Sequence, residues 1–96
     1  MEDVTITRTD HGDHGTYYAH VEGSHFIGRL EWTKRDYVRV VEHTIVPPEI
    51  GGRGIASLLL DALIADAREQ GFRIGPNCSF AAAKFAQHPE WADLRA

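Results

Sequence analysis

The feature that most constrains the fold is the punctuated stretch over residues 46–71. It opens Val46-Pro47-Pro48-Glu49-Ile50-Gly51-Gly52-Arg53-Gly54-Ile55-Ala56 and runs on as a long helical pattern to Gly71. A β-branched run over residues 37–46 precedes it, and Pro47 and Pro48 stop that strand because proline cannot donate to a ladder. Gly51, Gly52 and Gly54 then allow backbone geometry that a Cβ would forbid. Ile55, Leu58, Leu59, Ala62 and Leu63 recur at helical spacing. A helix is therefore predicted from about 52 to 70, closed by Gly71 in the left-handed position. A strand, a glycine-rich turn and a helix start together make an anion site: the first amides of a helix have no internal partner, and the dipole favours negative charge beside them. The expected ligand is a phosphate or pyrophosphate.

Two familiar phosphate motifs do not fit. No Gly-Lys-Ser/Thr closes the loop, so it is not a Walker A sequence. Gly52-x-Gly54-x-x-Ser57 lacks the third glycine of a dinucleotide fingerprint, and the chain has room for only one βαβ unit.

The remaining segments frame this unit. Residues 4–8 alternate as a first strand, and Asp10-His11-Gly12-Asp13-His14-Gly15 reads as a hairpin turn. Residues 16–22 and 25–33 are a second and third strand, with Phe26, Gly28, Leu30 and Trp32 on one face. After a turn at Lys34-Arg35-Asp36, the fourth strand has Val38 and Val40 on one side and Arg39, Val41 and His43 on the other. Short links imply an antiparallel meander. Residues 72–75 form a fifth strand, which a right-handed crossover places parallel to the fourth. Ser79 is the expected N-cap of a second helix over 80–87. A final turn packs Trp91 and Leu94 on the core. The expected fold class is α/β (α+β): a mixed, mostly antiparallel sheet of about five strands with two helices, in a single domain over residues 1–96.

The loop resembles motif A of the GNAT superfamily, the acetyl-CoA-dependent N-acetyltransferases. That pattern is a strand ending in Val-x-Pro, then Arg/Gln-x-x-Gly-x-Gly/Ala opening a helix. Gly54 and Ala56 match its last two fixed positions, while Gly51 stands where Arg or Gln is usual. Pro47-Pro48-Glu49, Cys78-Ser79-Phe80 and His88-Pro89-Glu90-Trp91 are similar to phrases of small single-domain members. The match covers about residues 37–91 well. A hairpin turn replaces the helices that larger members carry between their first two strands.

The resemblance implies an acetyl-CoA co-substrate and transfer of its acetyl group to an amine, borne by a small molecule or a protein. It implies that the loop from Gly51 to Ala56 holds the pyrophosphate through the N–H groups of Gly52, Arg53, Gly54, Ile55 and Ala56. It also implies that the strand end Thr44-Ile45-Val46 bonds the pantetheine arm. Lys84 and Arg53 are candidates for a phosphate contact or for plain solvation. The alternative function is a non-catalytic acyl-CoA-binding module, and a third is a structural domain that kept the fold and lost the ligand.

Amide formation from a thioester needs a neutral amine, a polarised carbonyl and a protonated leaving thiolate. Cys78 precedes a helix start, where a thiolate is stabilised. It is a candidate for contact with the acetyl-thioester end, as a transient acetyl acceptor or as part of the acceptor pocket, or else a small residue filling the loop. Glu42 and His43 are candidate bases, and strand alternation allows only one of them to face the acceptor. Many relatives use a last-helix Tyr as the acid, and the aligned position here is Phe85. No metal is expected: His11, Asp13 and His14 lie close in sequence, but a hairpin tip supplies few supporting partners.

Composition narrows the classes further. At 43% hydrophobic and 25% charged, the 96-residue chain has an ordinary globular balance. A net charge of −4 argues against general nucleic-acid binding, which wants a basic face. One cysteine excludes an internal disulfide and suits a reducing compartment. No apolar run approaches the ~20 residues of a membrane span. Met1-Glu2-Asp3 lacks an apolar region of the secretory kind. A cytoplasmic monomer or homodimer is expected.

Overall fold

A computed structural model describes residues 3–96, so the terminal Met1-Glu2 behind the leader expectation lies outside the described residues. Among the described residues five strands form one sheet in sequence order: β1 Val4–Asp10, β2 His14–Val21, β3 Ile27–Arg35, β4 Val38–Ile45 and β5 Arg73–Pro76. The first three pairings are antiparallel and β4–β5 is parallel, as the short turns and the single crossover require. The crossover is α1, Ile55–Gln70, and β5 is followed by α2, Ser79–Gln87. Short 3₁₀ turns cover Pro48–Ile50 and Pro89–Leu94.

Local chemistry sets the turns. At the first hairpin, the Gly12 N–H donates to the Asp10 carboxylate at 2.8 Å and Gly12 takes φ 90°. The second turn runs two residues further than expected, because the Phe26 N–H bonds the Ser24 hydroxyl oxygen at 3.1 Å. β3 therefore begins at Ile27 and ends at Arg35, and Phe26 packs on the core from outside the strand. The β3–β4 turn narrows to Asp36 and Tyr37, with Asp36 at φ 57°.

One face of the sheet is buried by the helices. Tyr17, Ala19, Leu30, Trp32, Val41 and Ile74 on the strands meet Ile55, Leu59, Leu60 and Leu63 of α1. The apolar stripe of α1 is rotated from the expected one: Leu60, Ile64 and Ala67 join it, and Leu58 is turned out, 41% exposed. Gly28 lets the start of α1 approach β3 closely, since a Cβ there would lie 2.9 Å from Ile55 Cγ2. Farther along, Asp66 is buried and accepts bonds from the Tyr17 hydroxyl at 2.6 Å and Arg8 Nε at 2.7 Å. This ties α1 to β1 and β2. Gly71 closes α1 at φ 80°, with its N–H on the Ala67 carbonyl, as its left-handed preference predicts.

The start of α2 differs from the expected one. Its N-cap is Cys78, whose Sγ accepts the Ala81 N–H at 3.4 Å, and Ser79 is the first helical residue. Trp91 and Leu94 pack on the core, with Trp91 edge-on to Phe85. The last residues run beside β5, where the Ala96 N–H donates to the Ile74 carbonyl at 2.9 Å. Among the described residues no helix covers the other sheet face, where Thr5, Thr7, Ile27 and His43 are exposed.

Candidate functional site

The glycine-rich loop is anchored at one end and open at the other. Ile50 is buried, and its N–H bonds the Pro47 carbonyl at 3.0 Å. The Gly51 N–H is taken by the Pro48 carbonyl at 3.1 Å. Gly52 and Gly54 sit at φ 72° and 71°, with open space where a Cβ would stand. Any other L-residue is strained in that conformation. Leu58 makes the first helical bond, to the Gly54 carbonyl. The N–H groups of Ile55, Ala56 and Ser57 therefore precede the ladder and carry the positive end of the α1 dipole. Arg53 is exposed on this loop.

Beside the loop, β4 outruns β5. Their pairing ends at Val41 opposite Pro76, so the β4 residues from His43 to Ile45 pair with β3 only, and Glu42 with neither neighbour. Two side-chain bridges span the mouth where the strands part. Asn77 Nδ2 donates to Glu42 Oε1 at 3.0 Å, and Thr44 Oγ1 lies 3.6 Å from Cys78 Sγ. Cys78 thus faces the end of β4, while its sulfur also caps α2.

A β-bulge reorganises the candidate bases. Trp32 pairs with Val41 and Glu31 with His43, which leaves Glu42 as the extra residue. Past the bulge the alternation reverses, so His43 lies on the face of Glu31, opposite to Val41. The expectation that His43 and Val41 share a face is thereby corrected, and so is the exclusion of one candidate base by the other. Glu42 and His43 line the same open pocket of about 480 Å³, with His14, Thr16, Glu31 and Thr33. Thr33 Oγ1 donates to Glu42 Oε2 at 2.6 Å. The bonds from Thr33 and Asn77 hold the Glu42 carboxyl below the usual carboxylate range, against a small opposing effect of burial. Thr33, Asn77 and Glu31 escaped the sequence reading, and His14 entered it only through the metal question. The pairing of β2, β3, β4 and β5 brings the four around Glu42, and a bulge leaves no periodic trace.

The other candidates fall around the helices. Lys84 and His88 of α2 share a narrow groove with Ser57, Leu60 and Asp61 of α1 and with Trp91. Lys84 therefore lies near the start of α1, with Nζ 5.8 Å from the centre of the Phe80 ring. Phe85 is buried and has no hydroxyl to offer. His11 and His14 stack at 4.9 Å, and Asp13 pairs with His14 at 2.7 Å. Among the described residues no three His, Cys, Asp or Glu side chains gather as a metal-ligand set.

The family model of the GCN5-related N-acetyl-transferases matches residues 16–94. The chain belongs to the GCN5-related N-acetyltransferase family. No curated protein matches it. The matched span of this GCN5-related chain begins within β2 and runs through both helices to the second 3₁₀ turn, so it holds the loop, the mouth and all of the pocket but His14 and Gly15. Family membership supports acetyltransferase activity as the general chemistry. No helix among the described residues is long and apolar enough to cross a membrane.

Proposed function

We propose that the chain binds acetyl-CoA along the glycine loop and the free edge of β4 and transfers the acetyl group to an amine seated in the pocket on the open sheet face. The observation that carries this reading is the pair of left-handed glycines, Gly52 and Gly54, opening α1 beside a strand that has lost its neighbour. A loop shaped only to turn the chain needs no such gap beside it.

The roles follow from position. The N–H groups from Gly52 to Ala56 hold the pyrophosphate, with Arg53 and Lys84 as flanking cations. Thr44, Ile45 and Val46 present backbone groups to the pantetheine arm. Bound acetyl-CoA supplies an acyl carbonyl activated by its thioester. The acceptor arrives on the pocket side as an ammonium. Glu42 accepts its hydrogen bond and then its proton, His43, on the same face, passes that proton to solvent, and once the nitrogen has attacked the carbonyl its second proton goes to the departing CoA thiolate. Cys78 forms the wall at the acyl end while capping α2. Membership of a single domain over residues 1–96 belongs to the same proposal.

The test is thiol release from acetyl-CoA over a panel of amines. Amine-dependent release that Glu42→Gln lowers by about a hundredfold supports the enzyme. The second reading, a non-catalytic acyl-CoA-binding module, is favoured by Phe85 where relatives carry a tyrosine. Binding without release across the panel would establish it instead.

A further inference from the structure

We infer that Thr33 and Asn77 are positioning residues that clamp Glu42 where the acyl cleft meets the acceptor pocket. The inference rests on the proposed role of Glu42 as base and adds two residues to it.

A bulged residue has no partner to fix its direction. Glu42 is the extra residue of the bulge, and its side chain lies among exposed and half-buried groups, so packing does not hold its rotamer. Two donors do. The Thr33 hydroxyl reaches Oε2 at 2.6 Å from the neighbouring strand, and the Asn77 amide reaches Oε1 at 3.0 Å from the far wall of the mouth. The donors approach from opposite sides and take different oxygens. A carboxylate oxygen accepts more than one bond, so each keeps a lone pair for an ammonium. The Asn77 bridge also joins the chain after β5 to β4 at the first position where their ladder is missing. It therefore fixes the base to both walls between which the thioester has to enter.

The same two bonds favour the charged carboxylate, and Arg35 and His43 add to them. Glu31 and His14 face Glu42 across the pocket, and Arg29 pairs with Glu31 at 3.0 Å. Asn77 reads equally as a polar surface residue of a turn, but then its loss should leave the titration of Glu42 where it is.

The experiment follows the Glu42 carboxyl by carbon NMR against pH in the full chain, beside pH profiles of kcat/KM. In Asn77→Ala and in Thr33→Val the Glu42 midpoint moves up, further for Thr33→Val, and Thr33→Ser restores it. The acid limb of kcat/KM moves with the midpoint, kcat falls about tenfold, and KM for acetyl-CoA stays within about twofold, as expected when ground-state binding is untouched. An unmoved midpoint and unchanged kcat in folded Asn77→Ala, with turnover lost in Glu42→Gln, overturns the clamp alone. Full turnover in Glu42→Gln overturns the base beneath it, and the positioning role goes with it.

Discussion

At the scale of single residues, function and stability part company at Gly54 and Asp66. Gly54 stands at φ 71° with open space around it, so Gly54→Ala meets no clash and costs only the left-handed backbone penalty, about 1 kcal/mol. Gly54→Glu adds a carboxylate where an anion is to sit, and acetyl-CoA binding should be lost while a thermal melt still shows a folded protein. Retained binding in that variant would remove the loop from the site. Asp66 is a buried carboxylate held by Tyr17 and Arg8. Tyr17→Phe keeps the ring and deletes one charge-assisted bond, which costs about 2 kcal/mol in denaturant unfolding, with acetyl-CoA affinity unchanged.

At the scale of elements, α2 depends on an uncommon cap. Sulfur is a weak acceptor, so Cys78→Ser should keep the cap and raise stability by about 0.5 kcal/mol, whereas Cys78→Ala should lower it by about 1 kcal/mol. Equal melting temperatures for the two variants would show that the cap contributes nothing. On α1, Leu59 is fully buried, and Leu59→Ala should cost about 3 kcal/mol. Leu58→Ala, on the exposed side, should cost far less. The elements were largely legible in the sequence because their signals are local: two prolines ending β4, Gly71 closing α1, and alternation through Leu30 and Trp32. What stayed hidden depends on pairing. The bulge at Glu42 exists only in the β3–β4 register, and it alone places His43 on the face of Glu31. The clamp by Asn77 joins residues 35 apart in sequence. The Cys78 cap was masked by Ser79, a better capping residue by type that falls one position too late. The stripe of α1 was read one step off because Leu58 is apolar and exposed.

At the scale of the whole molecule, pH and ligand should act through the groups already named. Burial first, then the bond to Asp66, pushes the Tyr17 hydroxyl well above its ordinary value of 10.0. A raised value in the folded state means that the neutral phenol is favoured there. Its contribution is complete below the ordinary value and is lost as pH rises beyond it. Stability should therefore fall above about pH 10, and Tyr17→Phe should flatten that fall. Glu42 works in the opposite sense. Its lowered value stabilises the fold above the ordinary carboxylate range, and that share is lost as pH falls through it.

The most direct test of the account is a calorimetric titration of the wild-type chain with acetyl-CoA, repeated on Gly54→Glu. A ligand that binds only the folded state raises stability by about 2.7 kcal/mol at a hundredfold excess over Kd, so the same samples should melt higher with ligand. The account predicts saturable one-to-one binding and a raised melting temperature for the wild type, both lost in the folded variant. No heat and no thermal shift with the wild type at millimolar acetyl-CoA, or equal binding by both proteins, would contradict it.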